Sequence, residues 1–143
     1  MKSKQVLSIE QMKHLQELGL DTSDASMHWQ YLPTADAIIN GTDEIEEEPC
    51  LFVSQPNMKH EYPTYTLQDI LDKLPESVQV YDLYIFKKVG LWWLKYVDVT
   101  NNGTVHLEKM PGIMDAAYYM LCWCIQKGFV KTNKEVKDGR KEN

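Results

Sequence analysis

Residues 113–127 read IMDAAYYMLCWCIQK, and Gly128 and Phe129 follow them directly. At ~100° per residue, the apolar side chains of this stretch occupy most of the circumference of a helix. Its polar side is formed by Asp115, Tyr119, Cys122 and Gln126. A helix that is apolar on so many sides must be covered by more than one layer. We therefore predict a long helix that ends at Gly128 and lies between a sheet and a further helix or subunit.

The stretch before this helix predicts the sheet that covers it. Between residues 78 and 109 the β-favouring residues dominate, with break points at Val89-Gly90 and at Asn102-Gly103. An Asn-Gly pair between two such runs is a strong signal for a β-hairpin turn. The pattern predicts a three-stranded antiparallel meander. Its strands are expected at 79–88, 91–100 and 104–108.

The first half of the chain predicts shorter elements. Ser8 and Gln11 have the spacing of a reciprocal capping box, and Thr66 with Asp69 precedes a second run of helical apolar spacing. Met27 and Trp29 belong to a stretch that alternates as a half-buried strand does. The predicted elements are a helix at 8–18, a strand at 26–32, an exposed loop at 33–49, a strand at 50–53, a loop to Pro63 and a helix at 65–75.

These elements together predict an α+β fold. An antiparallel sheet of four or five strands is built around the meander at about 79–108, the C-terminal helix packs on it, and two shorter helices complete the domain. A chain of 143 residues is the size of one domain. We expect a single domain at 1–130, followed by a polar, disordered tail at 131–143 that lacks aromatic residues.

The charge distribution argues against nucleic acid as a direct partner. The chain has a formal net charge of −6, and residues 1–126 alone carry nine lysines and 18 acidic residues. Its one arginine, Arg140, lies in the predicted tail, so the predicted domain lacks the side chain that binds phosphates and guanine edges in two-point fashion. An acidic body repels a polyanion. We expect a protein partner or self-association and no direct nucleic-acid binding.

The motifs of common catalytic and cofactor chemistry do not occur in the sequence. The four histidines at 14, 28, 60 and 106 lack metal-site spacing, and no glycine-rich phosphate loop or GxSxG nucleophile motif is present. Cys50, Cys122 and Cys124 form neither a CxxC pair nor a disulfide framework, and we expect reduced, apolar cysteines. No cofactor, no metal site and no catalytic residue is predicted.

Trp92 and Trp93 are the most informative neighbours in the predicted meander. Adjacent residues of a strand face opposite sides of a sheet, so one indole enters the main core and the other faces the second side. An indole exposed there beside Tyr84 or Tyr96 would be a protein-binding hot spot. The predicted partner-binding residues are Trp92, Trp93, Tyr84 and Tyr96. The alanine variants of the two tryptophans should therefore differ, one losing stability and the other partner binding.

Three segments carry a resemblance to known proteins: LGLDT at 18–22, YTLQDIL at 65–71, and DAAYYMLCWCI at 115–125 with Lys127-Gly128-Phe129. They resemble small proteins carried by phages, prophages and integrated elements of gut bacteria, a group with no established activity. The similarity covers most of residues 8–130. It rests on helix caps and apolar stripes, so it transfers no functional residue. The resemblance implies a phage or mobile-element origin and a bacterial cytoplasm.

Three functional hypotheses follow. The first is a small, acidic, non-catalytic accessory or regulatory protein that binds another protein. The second is an acidic decoy whose carboxylates occupy the nucleic-acid site of a host protein. The third is an enzyme of unfamiliar type that uses His60 or His106 with a nearby carboxylate. The N-terminus lacks the apolar middle of a secretory signal, and no apolar run approaches the ~20 residues that cross a bilayer, so we expect a cytoplasmic protein with no membrane partner.

Overall fold

The computed structural model of the chain describes residues 5–41, 46–55 and 58–133. Within these residues, helices and antiparallel strands follow one another in a mixed order, and the predicted α+β class is confirmed. The elements are α1 (Ile9–Glu17), β1 (Met27–Pro33), α2 (Ala35–Asn40), β2 (Glu47–Val53), β3 (Tyr62–Thr64), α3 (Leu67–Lys73), β4 (Ser77–Val78), β5 (Tyr81–Lys88), β6 (Leu91–Asp98), β7 (Thr104–Met110) and α4 (Ile113–Gln126).

The predicted meander is confirmed as β5, β6 and β7, which pair in sequence order. Its first turn, Val89-Gly90, places both residues at positive φ, +55° and +72°. In the second turn Asn102 has a φ of +58°, a conformation that asparagine tolerates better than most residues. The short strand β4 pairs with the start of β5 and makes this a four-stranded sheet in the order β4-β5-β6-β7. We refer to it as the meander sheet.

Helix α4 lies between the meander sheet and two other helices, as its apolar circumference requires. Its C-terminal half contacts β6, where the Trp123 ring stacks on Tyr96 at a centroid distance of 5.7 Å. Its other side contacts α3, and Gln11 of α1 donates a side-chain hydrogen bond to Asp115. Cys122, on the side predicted to be polar, is buried as well. The prediction of a helix covered by more than one layer is therefore confirmed.

A second, three-stranded sheet has the order β2-β1-β3, and all of its pairings are antiparallel. The strands predicted at 26–32 and 50–53 lie in this sheet, apart from the meander. It is tied to the segment before α1, because the Thr64 hydroxyl and the Trp29 indole N–H both donate to the carbonyl of Leu7, at 2.7 Å and 3.3 Å. The fold therefore contains two separate sheets, the four-stranded meander sheet and this three-stranded sheet.

The predicted exposed loop at 33–49 is wrong for most of its described residues. The Thr34 hydroxyl accepts from the Ala37 N–H and starts α2, and Gly41 ends that helix in the left-handed conformation. β2 begins at Glu47 because β1 offers it an antiparallel edge, where Pro33 pairs with Glu47. Residues 42–45 lie outside the described part of the chain. The loop predicted to reach Pro63 likewise contains β3, which pairs with the start of β1.

The two short predicted helices are confirmed with slightly narrower bounds. Both begin with the expected capping box, formed by Ser8 with Gln11 in α1 and by Thr66 with Asp69 in α3. At the other end of the domain, Thr132 is buried and the Asn133 N–H donates to the Gly19 carbonyl at 2.8 Å. The beginning of the predicted tail thus packs against the end of α1, and residues 134–143 lie outside the described residues.

We expect Leu121→Ala to lower the free energy of unfolding by about 2–5 kcal/mol, because Leu121 is fully buried in α4 and its truncation leaves a cavity. Gln126→Ala is the matched control in the same helix. Gln126 is exposed, so its substitution should change the unfolding free energy by less than about 0.5 kcal/mol. Urea denaturation of the two variants measures the difference, and similar values would contradict the central position of α4.

Candidate partner-binding face

Trp92 and Trp93 face opposite sides of the meander sheet. Leu94 and Tyr96 of β6 are buried on the side of the sheet that carries α4. Because side chains alternate along a strand, Trp92 shares that side and Trp93 faces away from α4. The indole N–H of Trp93 donates to the Lys88 carbonyl at 3.1 Å, which fixes the ring across the β5–β6 hairpin.

Aromatic rings and lysines alternate on the side of the sheet that faces away from α4. The Phe86 and Trp93 rings stack with a centroid distance of 5.7 Å and an interplanar angle of 14°. The ammonium group of Lys95 lies 5.5 Å from the Phe86 centroid, and that of Lys109 lies 5.1 Å from the Trp93 centroid. Both distances are within the range of cation–π attraction. Two cations thus lie over a pair of stacked rings.

Tyr84 and Leu107 extend this surface on either side of Lys95. Tyr84 pairs with Lys95 across β5 and β6, and Lys95 pairs with Leu107 across β6 and β7, so the three side chains share one side of the sheet. Tyr84 is 49% exposed and Leu107 is 36% exposed. We name the following set the lysine–aromatic face: Tyr84, Phe86, Trp93, Lys95, Leu107 and Lys109.

The sequence prediction placed two of these six residues on a partner-binding surface, Tyr84 and Trp93. Of the other four, Phe86, Leu107 and Lys109 become neighbours of Trp93 only through strand register. Lys95 was also missed, although it lies two residues after Trp93 in the same strand and therefore on the same side. The Val89-Gly90 turn, which the sequence identified, sets the pairing of Phe86 with Trp93. Residues at equal distances from this turn pair across β5 and β6, so the sequence could have identified Phe86 as the partner of Trp93. Lys109 depends on the second hairpin, where a bulge after Tyr96 shifts the register.

Tyr96 belongs to the core, unlike the other predicted partner-binding residues. It is 1% exposed, and its hydroxyl donates to the Pro75 carbonyl at 2.6 Å and accepts from the Cys124 thiol at 3.6 Å. Burial raises the pKa of this phenol, so it stays a neutral hydrogen-bond donor. Trp92 lies on the α4 side at the end of the sheet, half-buried, with the Lys87 ammonium group 5.7 Å from its ring. The prediction that one of the two indoles enters the main core is therefore wrong. Neither Tyr96 nor Trp92 contributes to the lysine–aromatic face.

His106 is the one predicted catalytic candidate that lies beside a carboxylate in the described structure. Its Nε2 lies 2.8 Å from Oε1 of Glu108, two residues along β7. One face of its ring is covered by Trp123, at a centroid distance of 4.4 Å and an interplanar angle of 9°. This stack joins β7 to α4, and it gives the His106–Glu108 pair a clear packing role.

His60 instead stacks on His28, with ring centroids 3.7 Å apart. Nδ1 of His28 lies 3.1 Å from the Ser54 hydroxyl, whereas the buried Nε2 of His60 has no hydrogen-bond partner among the described residues. Ser54 and His60 line a cleft of about 710 Å³ whose surface is both polar and apolar. Parallel rings do not direct their nitrogen lone pairs to one point. No cluster of three or more potential metal ligands occurs in the part of the chain that the structure describes.

Two of the three cysteines lie in the core, as predicted, whereas Cys50 is only half-buried on β2. Cys50, Cys122 and Cys124 are all free, and the last two are buried in α4. Burial raises the pKa of the Cys122 thiol and raises that of Cys124 to about 11. Because the thiolate is the nucleophile and the metal ligand, both groups are poorly suited to either role near neutral pH.

Comparison of the chain with protein-family models, with curated proteins and with solved structures gave no match. The phage or mobile-element origin implied by the sequence resemblance therefore stays a prediction. Among the described residues, no helix combines the length and the apolar character needed to cross a bilayer.

We expect His28 to make folding stability depend on pH. Burial, and then the neighbouring His60, hold the pKa of His28 below its ordinary value of 6.5. The unfolded chain therefore binds a proton at His28 at a pH where the folded chain does not. The contribution of neutral His28 to the free energy of unfolding is present above pH 6.5 and is lost as the pH falls toward the folded-state pKa.

Urea denaturation at about pH 7 and about pH 5 measures this effect. His28→Phe is the matched variant, because a phenyl ring can still stack on His60 but cannot bind a proton. It should lose less stability than the unmodified protein between the two pH values. Equal losses in both proteins would show that His28 does not cause the pH dependence.

Proposed function

We propose that this protein is a non-catalytic binding protein that contacts a partner protein through the lysine–aromatic face, and that the partner presents acidic side chains beside apolar ones. The arrangement of Lys95 and Lys109 over the Phe86–Trp93 stack carries the proposal. Partly exposed aromatic residues supply large contact area at low entropy cost, and lysines beside them attract carboxylates.

The charge of the lysine–aromatic face is opposite to that of the whole chain. The net charge is −6, yet Lys95 and Lys109 lie on this face, and Lys88 follows Phe86 on the same side of β5. The nearest acidic residue along β5 on that side is Asp82, at the β4 end of the strand. A positive surface on an acidic protein favours an acidic partner. Two copies joined face to face would bring lysines together, which disfavours that mode of self-association.

A protein partner fits this surface better than single-stranded nucleic acid does. Nucleobases bind by stacking on free aromatic ring faces. Here Phe86 and Trp93 stack on each other, and lysine ammonium groups lie over both rings. The Trp93 N–H already donates to a backbone carbonyl.

The hypotheses of a decoy and of an enzyme receive less support from the site. A decoy requires carboxylates on the binding surface, whereas the lysine–aromatic face carries lysines. An enzyme that uses His106 requires room for a substrate, whereas Trp123 covers one face of that ring. We also propose the accessory or regulatory role, the mobile-element origin and the cytoplasmic location that the sequence suggests for this protein.

We expect a synthetic peptide that alternates glutamate with valine or leucine to bind this face. In a ¹H–¹⁵N NMR titration, the indole N–H signal of Trp93 should shift. That of Trp29 should not, because it lies on β1 of the other sheet and its N–H donates to the Leu7 carbonyl. A peptide with lysine in place of glutamate and a single-stranded oligonucleotide are the comparison probes. If either bound more tightly than the acidic peptide, the proposed partner chemistry would be wrong.

Charge reversal in Lys95→Glu/Lys109→Glu should weaken binding of the acidic peptide at least tenfold, about 1.4 kcal/mol, without changing the meander sheet. Lys13→Glu/Lys127→Glu is the matched control, because it reverses two exposed lysines outside this face. Isothermal titration calorimetry at low and high salt measures the electrostatic part of the binding free energy, which salt should reduce. An equal loss of affinity in both double variants would indicate a net-charge effect and contradict a specific face.

Trp93→Ala and Trp92→Ala test which side of the sheet binds. Trp93→Ala should abolish detectable binding of the acidic peptide, because it removes one member of the aromatic stack. Trp92→Ala should retain the affinity and lower the thermal midpoint, since Trp92 lies on the α4 side. Peptide titration and circular dichroism melting of both variants measure the two effects, and loss of binding in Trp92→Ala alone would reverse the assignment.

A further inference from the structure

We infer that the acidic partner segment binds as an additional β-strand along the free edge of β7. The inference rests on the proposed function, because it specifies how the partner of the lysine–aromatic face is held. Among the described residues, the meander sheet ends at β7, with no strand on its far side. Extended peptides bind such edges through main-chain hydrogen bonds, while side-chain contacts give specificity.

Two hydrogen bonds define which backbone groups of the meander sheet point inward and which point outward. The Leu83 N–H donates to the Glu76 carbonyl at 3.0 Å, so odd-numbered residues of β5 point away from β6. The Val99 N–H donates to the Val80 carbonyl at 2.8 Å, so odd-numbered residues of β6 point toward β5. Even-numbered residues of β6 therefore point toward β7, because backbone groups alternate along an antiparallel strand.

The same alternation fixes the backbone direction in β7. Leu94 pairs with Glu108 and Trp92 pairs with Met110, so the backbone groups of Glu108 and Met110 point toward β6. The N–H and C=O groups of Leu107 and Lys109 then point toward the free edge. These two residues also carry side chains of the lysine–aromatic face. A strand added beside β7 would bond to their backbone and contact their side chains at the same time.

The other strand edges suit an acidic segment less well. The start of β5 is occupied by β4 and by the Leu83–Glu76 bond. Further along β5, the backbone groups that point outward belong to Ile85 and Lys87, whose side chains lie on the α4 side and not on the lysine–aromatic face. The edge strand β2 begins with Glu47, Glu48 and Pro49, which combine repulsive charges with a residue that has no N–H to donate. β3 is only three residues long. By contrast, the seven-residue β7 has exposed Val105 and Leu107 and the cation of Lys109 on one side.

Charge also decides between an acidic segment and a second copy of this chain. Pairing of β7 with β7 of another copy would bring Lys109 and Lys95 of one copy close to the same lysines of the other, which like-charge repulsion disfavours. An acidic segment instead meets Lys109 at the edge and Lys95 one strand further in. The occupant that these charges favour is an extended segment with alternating acidic and apolar residues, and a dimer is an alternative outcome of the test.

Amide hydrogen exchange of the full chain with the alternating glutamate peptide provides the first measurement. We expect the amides of Leu107 and Lys109 to exchange at least tenfold more slowly with the peptide present. The amide of Glu108 is the internal control, because it already points toward β6 and should change little. Protection of Leu107 and Lys109 at high protein concentration without peptide would instead identify a dimer and overturn the choice of occupant.

Two N-methylated peptides provide the second measurement. One carries methyl groups on its odd-numbered amides and the other on its even-numbered amides, so only one of them blocks the N–H groups that face β7. We expect one peptide to bind at least tenfold more weakly and the other to retain its affinity within about twofold. Equal affinities would overturn the strand-addition mode.

Leu107→Pro provides the third measurement, because it removes an N–H that points away from β6 and is therefore compatible with an edge strand. It should lose peptide binding and keep its circular dichroism spectrum, whereas Leu107→Thr keeps the N–H and should retain main-chain pairing. If Leu107→Pro does not fold, the N-methylated peptides decide the question alone.

The two proposals can fail separately. If the peptide shifts the Trp93 signal without protecting the Leu107 amide, strand addition fails and the proposed face stands. If no peptide binds, both proposals fail.

Discussion

Helix α4 is buried on most of its circumference, and this burial governs how the other elements pack. This helix has nine buried residues, and it cannot place them against a single neighbouring layer. The meander sheet covers one side, and α1 and α3 cover the other. The aromatic stack of Trp123 on Tyr96 and His106 joins the helix to two strands of the sheet. The orientation of the sheet therefore follows from the need to cover α4.

Once one side of the meander sheet is committed to α4, the other side becomes the surface available to partners. Leu94 and Tyr96 point into the core. Trp93, which precedes Leu94, and Lys95, which lies between the two, must therefore point outward. The paired strands then bring Phe86, Leu107 and Lys109 to the same surface. The lysine–aromatic face is in this sense a consequence of helix packing on the opposite side.

The two proposals use different parts of the same sheet edge. The side chains of the lysine–aromatic face supply the charge and the apolar area that select an acidic segment. The outward backbone groups of Leu107 and Lys109 supply directional hydrogen bonds that any extended segment can use. Selectivity and attachment are thus separable, and a variant can remove one of them while the other remains.

Local elements whose signals lie within a few residues could be predicted from the amino-acid sequence alone. The capping boxes at Ser8 and Thr66, the hairpin turns, the meander and the apolar circumference of α4 all belong to this class. The opposite orientations of Trp92 and Trp93 could also be predicted, because they depend only on the period of a strand.

Which residues meet across strands could not be predicted and became visible in the folded chain. Folding placed Tyr96 in the core, assembled Lys95 and Lys109 over the aromatic stack, and turned the predicted loop at 33–49 into α2 and the start of β2. The physical reason is that register and edge pairing depend on contacts between residues distant in sequence. A strand such as Glu47–Val53, which begins with three polar or helix-breaking residues, forms because β1 provides its hydrogen-bonding partners.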